Sequence, residues 1–284
     1  MSELTQRVLF AVLAVPVVVG LAWLGGAPLA TLLAVAAALA AWEFGRLAAA
    51  SGARPLTGWL IGGAAAIPLL AHAAHLGLGV PPLPIVALVV PMLLGVALWR
   101  RGVAGHPLAA VASTLLGIWY TGGLLSFAYA LRHHRFAIGA AAGTALLFVP
   151  LVVTWVTDAG AFFVGRAIGG AKLMPSVSPG KTWSGAIGGS VLGVVGAWAF
   201  SRWVLQPVAQ LGLGLGGVVV LGLTLSVAAQ VGDLVESLLK REAGVKDSSR
   251  LIPGHGGILD RTDSLLFTLP LGYVLLDFLL RVGA

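Results

Sequence analysis

The sequence predicts an all-α, polytopic integral membrane protein of about nine transmembrane helices with its N-terminus in the cytoplasm. Three observations carry this. Of the 284 residues, 58% are hydrophobic and only 10% charged, with a mean hydropathy of +1.00, where a soluble domain is about a quarter charged. Apolar runs long enough to cross a hydrocarbon core of about 30 Å, which takes about 20 helical residues, recur from end to end with short polar gaps. The basic residues also fall preferentially on one side of the resulting topology.

The first run, residues 8–24, follows the short segment Met1 to Arg7. It reads as a retained helix and not a signal peptide, because further spans follow and no cleavage pattern is evident. Further spans are expected over 27–43, 57–78, 82–99, 108–130, 137–157, 184–204, 209–231 and 264–281. In the seventh, Gly185, Gly189 and Gly193 recur every four residues, the spacing that lets helix backbones approach closely where lipid removes the hydrophobic drive. With no internal repeat and no low-complexity linker, the chain reads as one membrane domain, 1–284. Its N-terminal helices occupy 1–157, and residues 158–284 carry both polar motifs.

Orientation follows from charge. With a cytoplasmic N-terminus, thirteen of the 17 Lys and Arg residues lie inside, leaving Arg132, Arg135, Arg202 and Arg281 outside, as the positive-inside bias requires. The net charge of +7 and pI near 10.6 do not indicate nucleic acid, because the cations are scattered among loops between spans. Anionic lipids and phosphates suit them better. The absence of cysteine excludes disulfides, thiol chemistry and Cys-ligated zinc.

Six of the ten acidic residues, Asp233, Glu236, Glu242, Asp247, Asp260 and Asp263, share one stretch with Lys240, Arg241, Lys246, Arg250 and Arg261. At roughly 3 kcal/mol per charge at the bilayer centre, such a stretch is expected to meet water. Asp233, Ser237 and Lys240 are spaced to share one helical face, setting a carboxylate, a hydroxyl and an ammonium in line. Pro253-Gly254-His255-Gly256-Gly257 then offers backbone able to approach a ligand closely. Asp260 and Asp263 follow at a helix start, a pair suited to a divalent cation. Mg²⁺ fits best, since it takes oxygen ligands from one or two carboxylates and substrate phosphates; the missing soft ligands argue against zinc. A second polar island is expected after the sixth span, in Asp158, Arg166, Lys172 and Ser178-Pro179-Gly180-Lys181-Thr182-Trp183. Lysine among glycine and hydroxyl residues suggests a phosphate cradle, although the P-loop spacing is absent.

The pattern Ser237-Leu-Leu-Lys240-Arg241-x₄-Lys246-Asp247-x₅-Pro253-Gly-His255-Gly256-Gly257-x₂-Asp260-Arg261-x-Asp263 resembles, position for position, the signature of the CDP-diacylglycerol synthases, or phosphatidate cytidylyltransferases. Upstream, Ser178-Pro179-x-Lys181-Thr182-Trp183-x-Gly185 is similar to that family's second motif. Ser184 departs from it, standing where members often carry Glu or Gln. The resemblance implies CTP and phosphatidic acid as substrates, Mg²⁺ with a second cation also open, a homodimer, and Asp233 and Asp260 as leading metal ligands.

On that reading two polyanions must meet in line at the α-phosphorus of CTP. A phosphate monoester has a second pKa of about 6, so its oxygen is already mostly deprotonated at neutral pH and needs no dedicated base. Cations that screen charge and hold departing pyrophosphate are the main requirement. Asp263 and Asp247 are then expected to support the metal or a second cation. Lys181, Lys240, Arg241, Lys246 and Arg261 are expected to bind phosphates, while Asp158, Ser178, Thr182, Ser237, Gly256 and Gly257 complete substrate binding. For His255, acid–base catalysis and structural hydrogen bonding both stay open. The pairs His72/His75 and His133/His134 lack accompanying carboxylates and read as interfacial polarity; Trp42, Trp99, Trp183 and Trp203 read as interfacial anchors. Asp277 and Arg281, four apart, are expected to pair. A CTP-dependent kinase of polyprenol-type lipids is the nearer alternative. A transporter fits less well, because the first half holds only Glu3 and Glu43 as acids where midplane sites draw on both halves. The richness in Ala, Gly and Leu suggests a bacterial inner membrane, with the site facing the cytoplasm.

Overall fold

The computed structural model describes residues 3–79, 81–252 and 256–282. Within them the chain forms α1 (Glu3–Leu24), α2 (Gly26–Ala50), α3 (Thr57–His75), α4 (Leu83–Ala87), α5 (Val89–Arg101), α6 (Pro107–Gly117), α7 (Phe127–Arg132) and α8 (Gly139–Ile168). A short hairpin of β1 (Lys172–Met174) and β2 (Ser178–Thr182) follows, then α9 (Trp183–Phe200), α10 (Gln206–Ala209), α11 (Leu215–Glu242) and α12 (Leu259–Val282). Among the described residues, eight helical stretches are long and apolar enough to span a membrane, and Val12–Leu24 of α1 is a shorter apolar helix. Outward faces are apolar, as on α9 at Val191 and Val195 and on α11 at Val220 and Leu223, which suits lipid as solvent. This is an integral membrane protein of the predicted all-α class.

Two local features depart from the sequence reading. The sixth span does not stop near residue 157. Ala159 to Gly165 are small or apolar and propagate the helix to Ile168, so Asp158 and Arg166 are helical; the helix ends where Gly169 takes a φ of +67°, a conformation glycine adopts freely. The second motif is also no plain loop. Residues 178–182 form β2, antiparallel to β1 with Lys172 opposite Thr182 and Met174 opposite Ser178.

The chain gathers into two compact units. One comprises Met1–Val18, Gly26–Ser126 and Leu239–Arg261, and the other Val19–Gly25, Phe127–Leu238 and Thr262–Ala284. In the first, Leu56, Leu93, Ala97 and Val111 form a buried cluster, and the Leu56 N–H donates to Thr114 Oγ1 at 2.8 Å. The signature segment 239–261 folds into this unit together with helices far from it in sequence.

In the second unit α8, α9 and α11 meet closely. A Cβ on Gly185 would lie 2.7 Å from Ala161 O, and one on Gly189 would lie 2.8 Å from Thr157 O. The glycine series is therefore a packing surface. Polar side chains join the same helices, with Thr157 and Ser226 hydroxyls 2.9 Å apart and Gln230 Nε2 donating to Ser190 Oγ at 3.0 Å. Such bonds between helices contribute about 0.6 to 2 kcal/mol each in a membrane. Arg132, buried, donates through Nε to Ala22 O and through Nη2 to Trp23 O, both at 2.7 Å. It thereby satisfies carbonyls that the end of α1 leaves unpaired.

Candidate active site

Two polar clusters arise, one in each unit. In the second unit β2 delivers Lys181, whose Nζ lies 2.6 Å from Asp233 Oδ2 on α11. One turn on, Ser237 Oγ donates to Asp233 Oδ1 at 3.4 Å, as the i, i+4 spacing predicts. Asp158, on α8 and exposed, lies within electrostatic reach of both Asp233 and Lys181. Thr182 is buried and caps α9, its hydroxyl accepting from Gly185 N at 3.1 Å. Ser184, the departure from the family pattern, donates to the Gly169 carbonyl and lies 3.1 Å from Thr182 Oγ1, so here the short hydroxyl closes the junction between hairpin and helix. Ser178 pairs with Met174 at the mouth of the hairpin. Asp263 follows in α12, with Oδ1 accepting from Ser264 N at 2.6 Å. A Cβ on Gly232 would sit 2.7 Å from Asp263 O, so α11 and α12 touch beside Asp233.

In the first unit the centre is Asp260. Its side chain is 7% exposed, and Lys240 Nζ lies 2.7 Å from Oδ1. Oδ2 accepts from Ser248 N at 3.0 Å, Ser248 Oγ at 2.7 Å and Gly257 N at 2.8 Å. These bonds bring Ser248 and Gly257 onto one carboxylate. The Ile252 N–H donates to Gly256 O at 2.8 Å, Gly256 has a φ of +80°, and its missing Cβ leaves room for Asp260 Oδ2 2.9 Å away. Arg241 Nη1 donates to Val245 O at 3.2 Å, next to Gly244, whose φ of +69° ends α11. Arg261 is exposed at the start of α12. His255 lies outside the described residues.

Beside this loop is a cavity of about 560 Å³ lined by Arg46, Lys246, Asp247 and Arg250. Three cations against one carboxylate give it a net positive lining. The sequence reading had assigned site roles to Lys246 and Asp247 and none to Arg46 or Arg250. Arg46 sits in the first half of the chain, over the Trp42 ring at 5.0 Å, and nothing local to it in sequence points to the loop. Glu43 was missed for the same reason; Ser248, whose Oγ approaches the Glu43 carboxylate to 3.1 Å, lies within the signature but carries no charge to mark it. Glu236 departs from the expectation that the charged stretch meets water, because it is fully buried.

Among the described residues no three Asp, Glu, His or Cys side chains converge as a metal cage. Mg²⁺ does not need one, being held by one or two carboxylates with substrate phosphates and water. Asp158 and Asp233 fit that donor set, two carboxylates close enough to repel with Lys181 beside them. Four donors reach Asp260, Lys240 among them, so a cation bound there would compete with Lys240. Of the histidine pairs, the His133 ring stacks on Tyr129 at 4.2 Å and His134 packs edge-on to Tyr273 at 5.2 Å. Asp277 pairs with Arg281 at 2.6 Å, as the spacing predicted, and with Arg135 at 2.7 Å.

The chain was compared with known proteins. It is 50% identical over 131 residues to the phosphatidate cytidylyltransferase of Brucella suis biovar 1, covering 46% of each chain. It is 50% identical over 134 residues to the one of Bacillus subtilis strain 168, covering 47% of this chain and 48% of the relative. It is 36% identical over 200 residues to the one of Synechocystis, covering 62% and 65%. The chain thus spans about half the length of the first of these curated relatives. The family model described as the cytidylyltransferase family matches residues 5–279, running through both polar clusters, and the chain belongs to that family.

Proposed function

We propose that the chain transfers the cytidylyl group of CTP to phosphatidic acid, giving CDP-diacylglycerol and pyrophosphate. The observation that carries this reading is Asp260 held by Lys240, Ser248 and Gly257 of the signature beside the cation-lined cavity, in a chain whose family model covers both motifs. The names of the relatives support the same substrates.

The residues suit the electrostatic problem. Phosphatidate reaches the site with its attacking oxygen mostly deprotonated, so the protein's task is to hold two polyanions together. Lys246, Arg250 and Arg46 face the cavity and are assigned to phosphates. Lys181, held by Asp233 at the end of the hairpin, is assigned to a further phosphate. Lys240 and Arg241 are fixed by Asp260 and Val245 O, and Arg261 extends the basic surface at the start of α12. Asp233, with Asp158, is the pair assigned to Mg²⁺, while Asp260 and Asp263 stay assigned as metal ligands through exchange with their present donors. When bound, the cation polarises the phosphoryl oxygens and offsets charge on the departing pyrophosphate. We assign the N-terminus and the signature loop to the cytoplasmic side of a bacterial inner membrane, and the active form to a homodimer.

The test uses purified protein in detergent with Mg²⁺, CTP labelled on the α-phosphate, and dioleoyl phosphatidate. The expected result is label in the lipid phase with stoichiometric pyrophosphate, both lost with EDTA. Transfer of γ-label to an added polyprenol with release of CDP would replace this reading with the lipid kinase. No transfer in either assay would overturn both.

A further inference from the structure

Glu43 lies on α2, about 200 residues from the signature, and is fully buried. Its carboxylate gathers donors from both ends of the signature loop. Oε1 accepts from Ser249 Oγ at 2.6 Å and Ile258 N at 3.0 Å. Oε2 accepts from Leu259 N at 2.7 Å, with Ser248 Oγ at 3.1 Å. Ile258 and Leu259 begin α12, where the first N–H groups have no partner within the helix. A carboxylate supplied by another helix therefore acts as the N-cap, which also favours the positive end of the helix dipole. Ser248 Oγ carries one proton and lies closer to Asp260 Oδ2, at 2.7 Å, so this hydroxyl links the two carboxylates. A methyl group at Gly257 would collide with Ser248 Oγ and with the Glu43 carboxylate. Glycine there is a requirement of the same arrangement.

We infer that Glu43 is a positioning residue: it clamps residues 248–249 to the start of α12 and so fixes Asp260, Lys240 and the cations of the loop for phosphate chemistry. Where activity is the readout, the inference rests on the cytidylyl-transfer reading. It touches no substrate. Glutamine in its place keeps the shape but turns an NH₂ toward two donors. A serine hydroxyl can rotate to accept, whereas a backbone N–H cannot, so at least one bond to the start of α12 is lost whichever way the amide sits.

Full-length Glu43→Gln, purified in detergent, separates positioning from simple stability. We expect kcat/KM for cytidylyl transfer to fall about ten- to a hundredfold, the scale of a small misplacement of reacting groups. Trypsin cleavage after the exposed Lys246 and Arg250 should accelerate severalfold, while the thermal midpoint stays within about five degrees of wild type. Activity within twofold of wild type overturns the inference. So does a loss of activity with unchanged cleavage at these two sites, or a large drop in midpoint that accounts for the loss. Ser249→Ala removes a single donor to Glu43 and serves if Glu43→Gln does not fold; unchanged cleavage and activity there would equally overturn the inference. If the wild-type protein does not transfer cytidylyl groups, the proposed function fails, yet the cleavage readout still decides the role of Glu43.

Discussion

On the proposed function, Lys181 and Asp233 are a pair held ready for phosphate. A lysine on a flexible stem loses side-chain entropy when it is fixed, and here the 2.6 Å contact with Asp233 and the hairpin have already fixed it. Lys181→Met is expected to lower kcat/KM by about a hundred- to a thousandfold, the range for one donor to a developing oxyanion. Asp233→Asn should cost more than Lys181→Met, because it also removes a carboxylate assigned to Mg²⁺, and the double variant should cost less than the sum of the two, because the side chains are in contact. Additive losses in a double-mutant cycle would separate them. His134 carries a different prediction, one of stability. Its side chain is fully buried. Burial lowers its pKa from the ordinary 6.5, Asp277 at 3.6 Å partly opposes this, and Arg135 adds to the lowering. The unfolded chain therefore takes up a proton that the folded one resists. This stability is whole above the ordinary value and falls as pH drops through it. The thermal midpoint should decline between pH 7.5 and 5.5, and the decline should be smaller in His134→Gln; parallel declines would show that another group is responsible. At this scale the sequence was most legible where charge is scarce. Asp233, Lys240 and Asp260 stand out because so few residues are charged, and their partners lie nearby or on a neighbouring motif. Glu43 was read as an unremarked acid at a span end, because all its donors lie more than 200 positions away.

Helices are legible from sequence to the extent that apolar length decides them, and α3 and α9 lie close to the runs that predicted them, whereas α2 runs seven residues past its expected end to Ala50 and α12 starts five residues early at Leu259. The end of α8 was not legible, since Asp158 and Arg166 look like loop residues to a hydropathy argument, although neither breaks a helix. The hairpin was missed for a related reason: Ser178-Pro179-Gly180 carries no alternating apolar pattern, and the strands are too short for one. It still matters, because it sets Lys181 one residue before Thr182, the cap of α9. Glycine spacing fared better, since Gly185 and Gly189 do mark the face where α9 meets α8. Gly189→Ile should force a branched side chain onto the Thr157 carbonyl and cost about 1–3 kcal/mol. Gly216→Ala on α11, with nothing within 4 Å of the added carbon, should leave the thermal midpoint unchanged or raise it by removing a helix-weakening glycine. Equal losses at both positions would mean that the glycine face is not what joins these helices.

At the scale of the whole molecule, sidedness joins the charge distribution to the site. On the assigned orientation thirteen of the 17 basic residues would lie on the cytoplasmic side, in line with the positive-inside bias, and each of the other four has a local partner. Arg132 caps α1, Arg135 and Arg281 flank Asp277, and Arg202 Nη1 donates to Gln206 Oε1 at 2.8 Å. The chain contains no cysteine, so single-cysteine variants can be labelled without background. Ser51→Cys, Gly180→Cys and Lys246→Cys are expected to resist a membrane-impermeant maleimide in intact cells and to react once the membrane is opened. Leu78→Cys, Ile138→Cys and Gly212→Cys should react in intact cells. All six positions are exposed or lie in connections between apolar helices. If Lys246→Cys labels from outside, the signature loop cannot meet cytosolic CTP, and both the assigned orientation and the direction of substrate supply would have to be reversed.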